Sequence, residues 1–521
     1  MTQNLIDQRT IIVSPSGVSA QELVEVARDD AKVVLSADAI AALTHGARVI
    51  AALADDAEPH YGVSTGFGAL AAVSIPKQKR QALQLSLVRS HAASTGPLVE
   101  REVVRALMLL RLATLASGRT GVRAEVAAVY ADLLNAGITP AVREYGSLGC
   151  SGDLAPLAHC ALAVIGEGDV FTRDGRHLPA AQALAECGIT PVQLREKEGL
   201  ALINGTDGML GMLVLAGEDL HHLLSLADVA TSLSLEALRG NDRVFAADLQ
   251  RVRPHRGQSD SAANIFHALQ GSEIIAAARA AGKVRVQDAY SLRCAPQVNG
   301  AARDTLEHAC AVADVELNSV VDNPVLTDDD RLESNGNFHG APLAYVLDFL
   351  AIVVADVASM AERRTDRILD PARNGGLNAF LAADPGTDSG LMIAQYTQAA
   401  IVSELKRLAS PASVDSIPTS AMQEDHVSMG WSAARKLRRS IDGLERVLAV
   451  EILTACRGIR LREEKPGRVA AQIVSLISPE AVIGADEFLS PEIERVVALV
   501  KSGQLLSSAQ EAYRETGSEL R

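Results

Sequence analysis

Aromatic residues are scarce in this chain and make up only 3% of its 521 residues. Hydrophobic residues nevertheless account for 48% of the sequence, so the core has to be built from aliphatic side chains. Alanine and leucine are abundant among these side chains, and both residues have high helix propensity. A chain of this length can bury a large core and fold as several domains. The composition therefore predicts packed helices rather than sheets.

Paired cysteines and excess positive charge are also missing. None of the six cysteines stands in a Cys-x-x-Cys spacing, so we expect neither a zinc site nor a disulfide framework. The formal net charge is −15, and the isoelectric point is near 5.3. A chain this acidic is poorly suited to binding nucleic acid. We therefore expect no metal and no nucleic-acid partner.

Long, clean hydrophobic runs are absent as well. The most apolar run, residues 343–364, carries Asp348 and Asp356 and falls short of the ~20 clean apolar residues that a membrane span needs. We expect this run to form a buried helix of a bundle. Residues 1–17 contain no apolar signal segment. We therefore expect a cytoplasmic chain with reduced cysteines and no membrane partner.

Helical periodicity dominates the chain from about residue 81 onward, whereas short extended pieces at 10–15 and 32–37 alternate with helices before it. We predict a mainly α fold. A smaller mixed N-terminal domain is expected over residues 1–202, and a long-helix bundle domain over residues 203–521. The long helices are predicted at residues 208–239, 258–282, 300–320, 341–370, 388–408 and 429–459.

Short polar segments interrupt this helical pattern and place polar groups beside glycine or proline. They are YGVSTGFG (61–68), SHAASTG (90–96), GCSGDL (149–154), INGTDG (203–208), QDAYSLRCAPQ (287–297) and MQEDHVSM (422–429). Taken singly, each has an ordinary structural interpretation. Residues 151–153 are suited to capping the helix that follows them. His91 and His426 would each more often be structural than catalytic, and Arg293 is compatible with an ordinary ion pair.

Taken together, the segments resemble the aromatic amino-acid ammonia-lyases. The resemblance extends from about residue 61 to about residue 431 and rests on GSLGCSGDLAPLAH, NGT, QDAYSLRC, GNFHG and PASVDSIPTSAMQEDHVSM, which occur in the family's order. It implies a mostly helical homotetramer whose active sites combine residues of different subunits. The implied substrate is a small-molecule amino acid.

The resemblance also implies an electrophilic cofactor made from the backbone, 4-methylideneimidazol-5-one, formed here from Cys150, Ser151 and Gly152. In the family, the glycine nitrogen attacks the carbonyl carbon of the residue before the serine, and two waters are lost. Gly152 suits this approach because it has no Cβ. Alanine is the family's usual residue at position 150. Since that position supplies only its carbonyl, Cys150 is expected to act through its backbone and not as a nucleophile.

Other electrophiles are not expected. Pyridoxal phosphate needs a Schiff-base lysine and a phosphate cradle. Lys283 is available, but no phosphate-binding loop accompanies it.

Further roles are implied residue by residue. Tyr61 matches the family's base, which takes the β-proton, and Arg293 matches the clamp on the substrate carboxylate, for which a bidentate guanidinium is suited. Tyr290 and Glu424 are the other expected catalytic residues. Substrate or cofactor contacts are expected from His91, Asn204, Gln287, Phe338 and Gln423.

Two segments bear on the choice of substrate. Ser90 and His91 match the pattern of family members that take polar rings. The Gln423–Glu424 pair resembles the histidine-specific members, because Glu424 can pair with an imidazole while a buried carboxylate beside a phenyl ring would be left uncompensated. The resemblance therefore implies elimination of ammonia from L-histidine to give trans-urocanate. Asp207 departs from the family, where many relatives carry glutamine.

Alternatives remain open at this point. A tyrosine or phenylalanine ammonia-lyase, or an aminomutase, would use the same cofactor. A thiol hydrolase would use Cys150 as nucleophile, with His159 or His91 as base. A non-catalytic helical scaffold would explain the long helices but not the polar segments.

Overall fold

The computed structural model describes residues 9–56, 58–282, 285–477 and 484–521, so Lys283 lies outside the described residues. The strands are short and form small separate sheets. Strand β1 (Thr10–Val13) pairs in parallel with β2 (Lys32–Leu35), and β3 (Thr95–Leu98) pairs antiparallel with β5 (Arg143–Tyr145). Strand β6 (Asp169–Phe171) lies between β4 (Thr139–Pro140) and β7 (His177–Pro179). The last sheet pairs β8 (Val325–Leu326) with β9 (Leu332–Glu333).

Helices make up most of the chain, which confirms the predicted mainly α fold. They are α1 (Ala20–Arg28), α2 (Ala37–Ala54), α3 (Lys77–His91), α4 (Arg101–Ala116), α5 (Ala124–Ala136), α6 (Leu154–Val164), α7 (Ala180–Glu186), α8 (Glu198–Ala201), α9 (Asp207–Leu238), α10 (Ala247–Arg251), α11 (Arg256–Ala268), α12 (Glu273–Ala280), α13 (Tyr290–Arg293), α14 (Ala295–Leu317), α15 (Ala341–Leu369), α16 (Met392–Leu408), α17 (Gly430–Arg460), α18 (Arg468–Leu476), α19 (Leu489–Lys501) and α20 (Gln504–Glu515). Short 3₁₀ helices lie at Gly68–Leu70, Asp242–Phe245, Ala379–Leu381 and Ser420–Met422.

Local signals explain several helix boundaries. Helix α1 begins with a capping box, in which Ser19 and Glu22 each accept a hydrogen bond from the other's backbone. Helix α2 is preceded by the N-cap residue Ser36, whose side chain accepts from the backbone of Ala39. Helix α5 is followed by Gly137, which adopts the left-handed conformation that closes many helices.

The single helix predicted over residues 258–282 is wrong, since the segment contains α11 and α12. Gly271 has φ +77° between them, and the Ser272 side chain accepts from the backbone of Ile275 at 3.3 Å to start the second helix. A left-handed glycine followed by an N-cap serine ends one helix and begins another. The other long helices are found within a few residues of their predicted positions.

The chain forms two compact units, each made of several segments. The first contains residues 1–215, 310–347 and 411–435, and the second contains residues 216–309, 348–410 and 436–521. The domain boundary predicted between residues 202 and 203 stays a prediction.

Helix α4 forms the centre of the first unit and is buried from Val103 to Ala116. Two arginines, Arg105 and Arg111, are completely buried within it. A buried guanidinium has to be hydrogen-bonded on the inside of the protein. Arg105 donates to the carbonyls of Val26 and Leu134, whereas Arg111 donates to the loop described below.

Among the described residues, α2 and α15 are long and apolar enough to cross a membrane by length and composition alone. In α15, 61% of the most apolar window is buried inside the protein. A buried core helix of a soluble protein can have the same length and composition. The burial of α15 agrees with the prediction of a buried helix at residues 343–364.

Candidate active site

The Cys-Ser-Gly sequence lies in a loop between β5 and α6 in the first unit. Gly149, with φ +64°, turns the chain into this loop. Its carbonyl accepts hydrogen bonds from the Ser428 hydroxyl at 2.7 Å and from the Gly340 amide at 3.2 Å. The motifs around residues 149, 340 and 428 are thus joined by direct hydrogen bonds.

Gly152 lies against the backbone of Gly205 from the INGTDG segment. The two residues form an isolated parallel bridge, and the amide of Asp153 donates to the Gly205 carbonyl at 2.7 Å. Gly152 has φ +76°, and a Cβ there would overlap the Gly205 carbonyl. Glycine is therefore required at position 152, both for its conformation and for the close approach of two backbones. This tightly turned backbone fits the implied ring, which forms through a glycine nitrogen.

Asp153 caps a helix that begins far from it in sequence. Its carboxylate accepts from the amides of Gly208 and Met209, each at 2.9 Å, in the first turn of α9. It also accepts from the Ser147 hydroxyl at 2.7 Å. Complete burial raises its pKa to about 7. Asp153 occupies the N-cap position of α6, in agreement with the interpretation of residues 151–153 as a cap, but its side chain makes no cap hydrogen bond to that helix.

Arg111 holds the same INGTDG segment from the other side. Its guanidinium donates to the carbonyls of Ala201 and Asn204, each at 3.0 Å, and forms a buried ion pair with Asp207. A Cβ at Gly205 would overlap this guanidinium. The unusual Asp207 is thus the counter-ion of a buried arginine, which compensates its negative charge.

A pocket of about 510 Å³ opens beside the Cys-Ser-Gly loop. This volume suits a small molecule, and the lining residues all belong to the first unit. The predicted site residues Tyr61, His91, Ser151, Asn204 and Glu424 line it together. Its apolar wall comes from Phe67, Leu70, Leu83, Leu87 and Leu154.

Tyr61 is held by its own loop. Its phenol oxygen accepts a hydrogen bond from the amide of Gly68 at 3.1 Å. Its ring meets Phe67 edge to face, with 6.5 Å between the centroids. This hydrogen bond fixes the position of the phenol oxygen, which is the atom that would take a proton.

Glu424 faces the serine that the cofactor would consume. Its carboxylate accepts from the Ser151 hydroxyl at 3.0 Å and from the Thr419 hydroxyl at 2.7 Å. The Cys150 thiol lies 3.4 Å from the same carboxylate. Glu424 therefore joins the cofactor loop to the pocket.

His91 and Asn204 add polar groups to the pocket. The Nδ1 atom of His91 lies 2.9 Å from the Leu87 carbonyl, and burial lowers the pKa of the imidazole. A neutral ring that donates through Nδ1 presents an acceptor at Nε2. The Oδ1 atom of Asn204 is buried and has no hydrogen-bond partner among the described residues. Such an atom is suited to a ligand that brings its own donor.

Other predicted site residues do not line this pocket. Phe338 is half-buried and Gln423 is exposed, both in the first unit. Gln287, Tyr290 and Arg293 belong to the second unit, where Gln287 and Tyr290 are exposed. The Arg293 guanidinium lies 4.7 Å from the centre of the Tyr290 ring, and its Nε atom has no hydrogen-bond partner within the described part of the chain.

The thiol of Cys150 is poorly suited to nucleophilic attack. Burial and the Glu424 carboxylate raise its pKa to about 12. Only the thiolate is a good nucleophile, and the thiol's hydrogen-bond partner is Glu424 rather than His159 or His91. These facts weigh against the thiol-hydrolase alternative.

Sequence reasoning missed Thr419 and Arg111. An arginine inside the apolar run LMLLRLAT (107–114) was a usable signal, because a charge in a buried helix requires a partner. Thr419 lies in a segment that was recognised, but nothing in the sequence indicates that its hydroxyl points to Glu424.

The family model for aromatic amino acid lyases matches residues 18–479. The chain belongs to this family, which confirms the resemblance seen in the sequence.

The chain is also similar to individual named proteins. Histidine ammonia-lyase of Streptomyces avermitilis is 60% identical over 504 residues, covering 96% of this chain and 98% of that protein. Histidine ammonia-lyase of Symbiobacterium thermophilum is 44% identical, covering 94% and 96%. Among solved structures, tyrosine aminomutase from Streptomyces globisporus matches with a TM-score of 0.92 at 38% identity, covering 98% of this chain and 100% of that one.

Proposed function

We propose that this protein is an ammonia-lyase that removes ammonia from L-histidine and releases trans-urocanate, the first step of histidine degradation. The observation that carries the proposal is that Tyr61, Ser151, Asn204 and Glu424 line one pocket. The high identity to relatives named histidine ammonia-lyase supports the choice of substrate.

We infer that the electrophile is 4-methylideneimidazol-5-one formed from Cys150, Ser151 and Gly152. When present, this group supplies an electron-poor methylidene carbon, which no unmodified side chain provides. The left-handed Gly152 and its contact with Gly205 suit the residues to that group.

The chain's own residues bind the substrate and move its protons. Tyr61 takes the β-proton through a phenol oxygen that the Gly68 amide already contacts. Glu424 accepts a hydrogen bond from the substrate imidazole, because its carboxylate faces the pocket. Asn204 offers the unpartnered Oδ1 to a donor on the substrate, such as its ammonium group.

The substrate carboxylate is assigned to Arg293, with Tyr290 and Gln287 beside it. Gln287 and Tyr290 are exposed and Arg293 is half-buried in the second unit, and none of the three lines the pocket of the first. We infer that a second copy of the chain supplies them, in a homotetramer with D2 symmetry. Phe338 and Gln423 remain proposed substrate contacts, and the reaction is assigned to the cytoplasm.

An aminomutase on the same cofactor is the second candidate. The similarity to the structure of a tyrosine aminomutase supports this second candidate. An aminomutase moves the amine from the α-carbon to the β-carbon, so its main product is a β-amino acid rather than a conjugated acrylate.

The test is an ultraviolet assay of the purified protein with L-histidine, L-tyrosine and L-phenylalanine in parallel. We expect the urocanate band to grow with L-histidine alone. The Ser151→Ala variant should show no activity and should lack the two-water mass deficit of the wild-type chain. A signal with tyrosine or phenylalanine instead would overturn the substrate, and a β-amino acid as the main product would favour the aminomutase.

A further inference from the structure

The Glu424 carboxylate is held on both of its oxygen atoms. Oε1 accepts from the Ser151 hydroxyl at 3.0 Å. Oε2 accepts from the Thr419 hydroxyl at 2.7 Å and from the Cys150 thiol at 3.4 Å. The two oxygens thus differ in what happens to their donors when the cofactor forms.

Cofactor formation removes the donor on Oε1. Closure joins the Gly152 nitrogen to the Cys150 carbonyl carbon and releases two waters, one with the carbonyl oxygen of Cys150 and one with the hydroxyl of Ser151. The Ser151 hydroxyl is the group that contacts Oε1. Its loss leaves Oε1 free to accept from a ligand, while Oε2 keeps both of its donors.

The turn between Thr419 and Glu424 is built to bring these residues together. Their backbones form an antiparallel bridge, with the Thr419 amide donating to the Glu424 carbonyl at 3.0 Å. The intervening residues Ser420, Ala421 and Met422 have φ of 51°, 52° and 70°. Left-handed non-glycine residues cost energy and persist only where the surrounding structure fixes them.

We propose that Thr419 and Cys150 are positioning residues that hold Oε2 of Glu424, so that Oε1 faces the imidazole of the substrate. This inference rests on the proposed function. It gives the cysteine at position 150, where the family usually has alanine, a role through its side chain. The hydroxyl has the larger effect, because a thiol is a weak hydrogen-bond donor.

The test compares Thr419→Val, which removes the hydroxyl at nearly constant shape, with Thr419→Ser, which keeps it. Cys150→Ala and Cys150→Ser form the second pair. Because hydrogen bonds to charged groups are among the stronger ones in proteins, we expect Thr419→Val to lower kcat/KM for L-histidine by about 10- to 100-fold, chiefly through KM. Cys150→Ala should lower it by about threefold. Thr419→Ser should stay near wild type, and Cys150→Ser, which keeps a donor, should be less impaired than Cys150→Ala.

The intact mass of each variant separates positioning from cofactor formation. We expect all four variants to show the two-water mass deficit. The value of kcat/KM is divided by the fraction of the protein that carries this deficit, so that incomplete cofactor formation does not lower it. The proposal is overturned if Thr419→Val equals wild type, if Thr419→Ser is as impaired as Thr419→Val, or if Thr419→Val loses the mass deficit. Absence of histidine turnover in the wild-type protein would instead overturn the proposed function itself.

Discussion

Arg111 and Asp207 form a buried ion pair that lies directly against Gly205, the residue whose backbone contacts Gly152. The arginine comes from the centre of α4, and the aspartate is the first residue of α9. The pair therefore fixes the loop that supports the proposed cofactor backbone.

Removing one partner of this pair should lower the stability of the protein more than removing both charges. Arg111→Met leaves the Asp207 carboxylate buried without its counter-ion, and breaking a buried pair typically costs about 3–5 kcal/mol. We expect a clearly lower melting temperature and incomplete cofactor closure by intact mass. The double variant Arg111→Met/Asp207→Asn should recover part of the melting temperature. An equal decrease of the melting temperature in the single and the double variant would contradict a charge-pairing role.

Gly205 should tolerate no side chain. A Cβ there would overlap the Arg111 guanidinium, and its nearest other neighbour is the Asp207 carboxylate. Gly205→Ala is therefore expected to reduce both soluble yield and the two-water mass deficit. Gly336→Ala is the matched control, since a Cβ at Gly336 meets nothing within 4 Å. Similar behaviour of the two variants would show that the packing at Gly205 is not tight in solution.

Cys150 should resist alkylation near neutral pH. Its thiol is buried and has a pKa raised to about 12 by burial and by Glu424, so almost no thiolate is present. Cys187 is an exposed free cysteine and serves as the internal comparison. After brief treatment with iodoacetamide, peptide mass spectrometry should find label on Cys187 and very little on the Cys150 peptide. Preferential labelling of Cys150 with loss of activity would revive a nucleophilic role.

Tyr61→Phe should separate catalysis from cofactor formation. The variant keeps the ring and its edge contact with Phe67 but loses the oxygen that faces the Gly68 amide. General-base catalysis typically contributes ~10²–10⁴-fold, so we expect kcat for L-histidine to fall by at least about 100-fold. The two-water mass deficit should be unchanged. Near-normal kcat would assign the base to another residue.

The sequence allowed the site segments to be recognised before their contacts were known. Tyr61, His91, Ser151, Asn204 and Glu424 lie far apart in the chain, yet they line one pocket. Their motifs were visible because each combines glycine or proline with polar residues inside a helical pattern. The long helices were predictable for a related reason, since aliphatic periodicity repeats over many turns.

Other features depend on distant partners and could not be read from local patterns. Asp153 is the N-cap residue of α6, but its carboxylate caps α9 instead, because the fold brings the Gly208 amide within 2.9 Å of it. The pairing of Arg111 with Asp207 joins residues 96 positions apart. Gly271 and Ser272 are a local signal for the break between α11 and α12. The prediction followed the helical periodicity of the segment instead and so missed the break.

Glu236 provides a test of pH-dependent stability outside the pocket. Its carboxylate accepts from the Ser272 hydroxyl and the Gly467 amide, and burial raises its pKa to about 7. An unfolded glutamate titrates near pH ~4.3, so between these values the folded state binds more protons than the unfolded state. The Glu236 contribution to the free energy of unfolding should therefore fall as pH rises from about 4.5 through 7 and level off near pH ~8.

The Glu236→Gln variant removes this titration but keeps an acceptor for both donors. The stability of wild type relative to the variant should decrease between pH 5 and 7, by about 2 kcal/mol. Thermal unfolding of both proteins at pH 5, 6, 7 and 8 measures this difference. A wild-type advantage that grows with pH would mean that the two hydrogen bonds outweigh burial, because the carboxylate would then be favoured in the folded state.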